Sequence, residues 1–239
     1  MPEAATYWER AANTRWGQYL TDVERQNLIQ ALDLVGADTA QAMEIGCEGG
    51  RWSRYLVGRG WSVTCTDIDP NVLSTCQARL PEVKTLLVSG DEDRFPAEDE
   101  SVDFLLVYEV PAITQAAWFP AEASRVLKPN GVMAFTTHNP LSARGLAYLT
   151  LHRTGLRRRS GHFYEGPVYP KLRRSLRKHG FQMVREEGLA WFPFSRVSDS
   201  PLIPAVTKLE KAVGLRRLVS VSPWIVGIAK RAAFVASSR

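Results

Sequence analysis

The sequence predicts an α/β fold built on a doubly wound, largely parallel sheet. Strand-like apolar runs alternate with segments of helical spacing from residue 22 to residue 137. The run SVDFLLVY at 101–108 has the near-continuous apolar character of a strand buried on both faces. Bulk composition supplies the core: 239 residues, 45% apolar and 23% charged, suffice for one large domain and exclude global disorder.

Each element has its local reason. Between 22 and 34, Val23, Leu28, Ile29 and Leu32 recur at helical spacing, followed by Val35, and Gly36 stops the helix. Trp8, Trp16 and Tyr19 form an aromatic prelude to it. A short strand at 40–45 runs into Gly46-Cys-Glu-Gly-Gly50, a helix is expected at 51–59, and 61–67 alternates as a second strand. Pro70 opens a helix reaching Leu80, and strands follow at 83–89 and 101–108. A helix at 120–127, a turn at Lys128-Pro-Asn-Gly131 and a fifth strand at 132–137 complete the alternation. Beyond Asn139 come a basic, partly helical region at 141–159, a helix at 169–179, a strand from 181 toward Trp191, a helical stretch at 205–213 and a last strand at 219–228. Nothing resembling a linker interrupts this order, so a single domain over 1–239 is expected, with a helical cap at 1–38 and halves at 39–139 and 140–239.

Three cysteines, Cys47, Cys65 and Cys76, cannot form a disulfide framework and fit a reducing, cytoplasmic setting. The amino terminus carries Glu3 and Glu9 where a secretory signal would be basic, and no apolar run is long enough for a membrane span. His138, His152, His162 and His179 lack the spacing of a zinc site, so no metal is expected. Charge is divided sharply. Residues 1–139 hold 11 Lys+Arg against 20 Asp+Glu, a net of −9, whereas 140–239 hold 19 against 5, a net of +14. The halves recover the overall +5 and imply different partners for the two parts.

Three loops at strand ends carry the chemistry, because ligands of open parallel sheets bind beyond the carboxyl ends of the strands. The glycines from Gly46 to Gly50 allow a sharp turn and close approach of a ligand, or only a tight strand–helix connection. Asp67, ending the second strand, can accept from both hydroxyls of a ribose, unless it serves as a helix cap; Asp69-Pro70 can supply that cap instead. Asp91, in the acidic loop Gly90-Asp-Glu92, can accept from an adenine amino group or simply be solvated.

Taken as a set, these residues resemble a class I S-adenosylmethionine-dependent methyltransferase of the small-molecule branch. The resemblance lies in MEIGCEGGRWSRYLVGRGWSVTCTDIDPNVL (43–73), SGDEDRFPAEDESVDFLLVYEV (89–110) and SRVLKPNGVMAFTTHNP (124–140), and continues weakly through 162–186. It implies a Rossmann-like seven-stranded sheet, mostly parallel with an antiparallel last strand. It also makes 39–139 the cofactor-binding half and 140–239 the acceptor-site insertion with the last two strands. S-adenosylmethionine is the implied cofactor. Glu44, Gly46 and Cys47 would shape the turn against its methionine part, with Gly50 opening the helix. Asp67 would hold the ribose, Ile68 would pack on the adenine, and Asp91 and Glu92 would meet the adenine edge. Tyr108 and Glu109 would lie near the sulfonium, with Glu109 toward the acceptor. The segment around Trp8 would lid the cofactor, or merely pack.

Two departures matter. Glu48 stands where relatives usually have a second glycine, with Gly49 next to it to absorb a left-handed conformation. After Glu109 the sequence reads Val-Pro-Ala-Ile-Thr114, without the histidine that relatives commonly place there. Methyl transfer needs an aligned nucleophile and excluded water, and a base only when the nucleophile carries a proton. His138, at the end of the fifth strand, and His162 are the candidates, with Arg144 and Tyr164 facing the acceptor; His138 can instead cap the turn into Pro140. The basic half fits a solvated face, an anionic or lipid-linked acceptor methylated at oxygen, or contact of residues 144–159 with an anionic membrane surface. RNA methylation or non-catalytic cofactor binding are the alternatives; RNA is disfavoured because no added RNA-binding module is present.

Overall fold

The computed structural model describes residues 6–155 and 163–233. Seven strands form one sheet: β1 (Gln41–Ile45), β2 (Ser62–Asp67), β3 (Lys84–Leu87), β4 (Val102–Val107), β5 (Leu127–His138), β6 (Phe181–Leu189) and β7 (Trp224–Arg231). Their order is β3-β2-β1-β4-β5-β7-β6. Every pairing from β3 to β5 is parallel, and β7 runs antiparallel to both β5 and β6. The expected fold, mostly parallel with an antiparallel last strand, is therefore the one found.

The central strand β4 sends Phe104, Leu106 and the following Tyr108 to one face and Leu105 and Val107 to the other. One face is covered by α2 (Arg15–Val35), α3 (Ser53–Val57) and α4 (Pro70–Arg79), through Leu28, Leu32, Leu56 and Leu73. The other is covered by α6 (Phe119–Val126) and α8 (Tyr169–Lys178), through Phe119, Ala123, Leu172 and Leu176. This two-sided burial explains the unbroken apolar run in β4. Helix α5 (Pro111–Thr114) follows β4, α7 (Ala143–Arg153) follows β5, and α9 (Ile203–Ala212) lies between β6 and β7.

Three of the boundaries that differ from expectation have a local reason. Helix α2 begins at Arg15 rather than 22 and is preceded by α1 (Tyr7–Ala12). Thr14 caps α2 by accepting from the Gly17 N–H, and Thr6 and Glu9 form a capping box on α1. The last strand begins at Trp224 rather than 219, because Pro223 has no N–H for the ladder, and it continues through Lys230 and Arg231, which pair with Val132 and Phe181. The Lys128–Gly131 turn lies inside β5 as an irregularity: Val102 pairs with Leu127 but Phe104 with Val132, and Asn130 is left-handed at φ 66°.

Candidate active site

The glycine loop leaves β1 at Gly46, whose φ is 70° and whose missing Cβ would come within 2.5 Å of Val110 Cγ2. Backbone N–H groups of Gly46 and Cys47 both donate to the Thr66 carbonyl, at 2.8 and 2.9 Å, which ties the loop to β2. Gly50 is left-handed at φ 77°, but the helix it was expected to open starts at Ser53. Glu44 lies buried beneath the loop and accepts from the Ser53 hydroxyl; burial pushes its carboxyl up to about 8.

Glu48 itself takes the left-handed conformation, at φ 49°, and Gly49 does not absorb it as expected. The conformation is stabilised from both sides: the Glu48 N–H donates to Asp67 Oδ2 at 3.0 Å, and its carboxylate accepts from the Trp8 N–H at 3.1 Å. That carboxylate is thereby held by α1. Glu9 of α1 also pairs with Arg79 at 2.8 Å, so the aromatic prelude lies across the loop.

Asp69 caps α4 by accepting from the Asn71 N–H at 2.8 Å, whereas Asp67 accepts from the N–H groups of Glu48 and Asp69. Beside it Ile68 is 65% exposed, an apolar side chain without cover at a strand end. Asp91 and Glu92 lie on an exposed loop in which Glu92 accepts from the Ser89 N–H at 3.2 Å. Tyr108 is buried against Trp52, and its hydroxyl donates to Asn27 Oδ1 at 2.7 Å, so the side chain ties β4 to α2.

Glu109, left-handed at φ 59°, accepts from Arg196 and has its N–H on Thr136 Oγ1 at 2.8 Å. Around this pair Trp8, Leu20, Glu24 and Arg51 close a small cavity of about 10 Å³. One carboxylate oxygen of Glu24 and one of Glu109 are buried without a hydrogen-bond partner, although Glu24 also meets Arg51 at 3.2 Å. Burial, and next the charge of Glu109, push the Glu24 carboxyl up to about 8 against the pull of Arg51 and Arg196. Native Glu24 thus keeps its proton to higher pH than the unfolded chain. Its contribution to stability is full below about 4.5 and is lost as pH rises toward about 8. Glu24→Gln is expected to flatten the fall in melting temperature over that window; an unchanged slope would refute the assignment.

On the other side of Arg196 opens a cavity of about 520 Å³. Its walls include His138, Arg144, Tyr148, Tyr164, Phe194 and Trp224. His138 does not cap the turn: Asn139 does, accepting from the N–H groups of Leu141 and Tyr169. The His138 ring stacks on Trp224 at 5.7 Å and meets Tyr164 edge-on at 5.4 Å, and its Nδ1 is buried without a partner. Burial, with Arg196 and Arg144 nearby, holds its pKa well below the usual imidazole value, so the ring is neutral. Arg144 donates to the Phe194 carbonyl at 3.1 Å. His162 lies outside the described residues.

Arg196 escapes a sequence reading, although it stands in an aromatic run, Trp191-Phe-Pro-Phe-Ser-Arg196. Its guanidinium lies 4.4 Å from the Trp8 ring centre and 5.3 Å from that of Trp224. It borders both cavities, as Leu20 and Trp224 also do.

Comparison with known proteins agrees with this arrangement. The family model described as "Methyltransferase domain" matches residues 43–135. An uncharacterised methyltransferase of Mycobacterium tuberculosis is 33% identical over 103 residues, 43% of this chain and 42% of that protein. The chain thus aligns with less than half the length of that relative. A malonyl-[acyl-carrier protein] O-methyltransferase of Methylococcus capsulatus is 26% identical over 206 residues, 83% of this chain and 70% of that protein. Among solved structures, geranyl diphosphate C-methyltransferase of Streptomyces coelicolor superposes with a TM-score of 0.59 at 15% identity, covering 97% of this chain and 86% of that one, a likeness of fold. The glycine loop, the carboxylate ending β2 and the β3-β2-β1-β4-β5-β7-β6 sheet thus lie in a chain whose residues 43–135 match the methyltransferase-domain family and whose fold is shared with that methyltransferase structure.

Proposed function

We propose that this chain transfers a methyl group from S-adenosylmethionine to an oxygen of a small anionic acceptor with an apolar body. The observation that carries this reading is the 520 Å³ chamber, lined by Trp16, Leu20, Phe194 and Trp224 and bordered by the guanidinium groups of Arg144 and Arg196. The malonyl-[acyl-carrier protein] O-methyltransferase relative supports oxygen as the target.

The residues present fit the cofactor. Gly46 keeps the loop close against Val110, where a side chain would not fit, and the buried oxygens of Glu24 and Glu109 that lack a hydrogen-bond partner offer acceptors to a positively charged ligand. Asp67 would take the ribose hydroxyls, Ile68 would cover the adenine, and Asp91 with Glu92 would face its edge. Glu44 and Cys47 would shape the loop from beneath, and Tyr108 would fix β4 beside it. When bound, the cofactor supplies a methyl group activated by a sulfonium. Since only about 10 Å³ separates Glu109, Arg196 and Trp8, a ligand there must displace Arg196 or α1.

Arg144 would orient the anionic end of the acceptor, while the aromatic walls exclude water. A carboxylate acceptor needs no base. For a hydroxyl acceptor, His138 with Tyr164 beside it is the group placed to take the proton, against the opposing charge of Arg196 and Arg144. Leu146 on the outer face of α7 is exposed while Leu151 lines the chamber, which favours a lipid-linked acceptor reached at an anionic surface through this helix. Among the described residues no helix is long and apolar enough to cross a membrane.

The test is incubation of the protein with deuteromethyl-labelled cofactor and an extract of small molecules and lipids, followed by mass spectrometry. A labelled methyl ester or ether is expected; label confined to nitrogen or carbon would refute oxygen transfer. With a medium-chain fatty acid as the probe acceptor, Arg144→Met is expected to lower kcat/KM by about 10- to 100-fold, chiefly through KM, the weight of a hydrogen bond to a charged group.

A further inference from the structure

Directly beneath the glycine loop, Cys47, Cys65 and Cys76 converge. They are 18 and 11 residues apart in sequence and come from the loop after β1, from β2 and from α4, so no spacing motif announces them. Each is buried, and their three sulfur atoms lie within 4.8 Å of one another. The packing is specific to this arrangement: a Cβ on Gly50 would come within 3.0 Å of Cys76 Sγ. The Ser53 hydroxyl, hydrogen-bonded to Glu44, lies 3.0 Å from Cys65 Sγ and brings oxygen donors to the edge of the cluster.

We propose that this triad is a binding site for a thiophilic divalent cation, zinc, held by three cysteine sulfurs with an oxygen of the Ser53–Glu44 pair at the fourth position. A tetrahedral zinc centre with Zn–S of about 2.3 Å sets its sulfurs about 3.8 Å apart, so contraction by roughly 1 Å completes the geometry. Three soft donors without competing imidazole select zinc over magnesium or calcium. On binding, three S–Zn bonds form and the thiol protons leave to solvent. Three thiolates with zinc carry one net negative charge, and the guanidinium of Arg79, which also pairs with Glu9, comes to the Gly49 carbonyl at 3.3 Å on the same loop. The ion would lock the glycine loop to β2 and α4 from below, whereas α1 holds the same loop from above. The proposal does not depend on which acceptor is methylated.

The experiment uses the full chain, purified under reducing conditions, stripped with chelator and titrated with zinc alone in competition with a chromophoric chelator. One zinc per chain is expected, with proton release and a rise in melting temperature. Cobalt in its place is expected to give thiolate charge-transfer absorption. Cys76→Ala and Cys47→Ala, each checked for native circular dichroism, are expected to weaken zinc binding by about 100-fold and to remove that absorption. Absence of stoichiometric zinc, or binding and absorption that survive in a folded single variant, would overturn the proposal. Should both single variants unfold, alkylation of the stripped wild-type chain decides: zinc must protect all three cysteines, and equal reaction with and without it refutes the site.

Discussion

Asp67→Ala is expected to abolish measurable S-adenosylmethionine binding while leaving the fold intact. Two hydrogen bonds from ribose hydroxyls to a carboxylate are each worth about 1.5–3 kcal/mol, so their joint loss weakens affinity by roughly 10²–10⁴-fold. The carboxylate also accepts backbone N–H groups from Glu48 at 3.0 Å and Asp69 at 3.1 Å. A stability loss of about 1–2 kcal/mol should therefore accompany the binding defect. Asp67→Asn separates the two effects, since its amide oxygen can still accept one backbone N–H while the charge is gone. Calorimetric titration with the cofactor is the measurement. An affinity within about threefold of wild type, a difference below 1 kcal/mol, would remove Asp67 from the ribose site.

The second large effect is expected from Gly17→Ala. In an exposed helix this exchange gains about 1 kcal/mol from propensity. Here the new Cβ would lie 1.9 Å from the Ala11 carbonyl oxygen and 2.5 Å from its carbon. Both are backbone atoms, so no rotamer change relieves the overlap, and α1 must leave α2. Its departure removes the Trp8 N–H from Glu48, Glu9 from Arg79 and the Trp8 ring from Arg196. The variant is expected to keep its sheet and most of its melting temperature, to expose residues around 12–14 to protease, and to bind cofactor at least about 10-fold more weakly through faster release. Wild-type protease resistance together with wild-type affinity would show that α1 does not cover the site.

Much of this molecule is legible before folding. The apolar run of β4, the alternation of β2 and the punctuation by Gly46 and Pro70 act over a few residues, and these local preferences place the parallel half. Asp69 as the cap of α4 follows from its position before Pro70. The start of α2 at Arg15 lies outside the apolar spacing of Val23 to Leu32, because Gly17 there makes room for the backbone of α1. The start of β7 moved because Pro223 outweighs the apolar character of Val219 and Val221.

Other features depend on contacts between residues distant in the chain. Glu48 tolerates a left-handed backbone because Asp67 and Trp8, 19 and 40 residues away, hold its two ends. Arg196 reaches the site only when its loop meets Glu109, 87 residues earlier, and Trp8. The acidic front and basic back, visible as −9 and +14, meet at this pair, where a carboxylate of one half binds a guanidinium of the other. Periodicity, turn chemistry and charge are encoded residue by residue, and they determined the fold class, the strand-end loops and the charge division of this protein. The neutral state of His138, the chamber beside it and the convergence of three cysteines arise from desolvation and proximity across the sheet, and only the tertiary structure decided them.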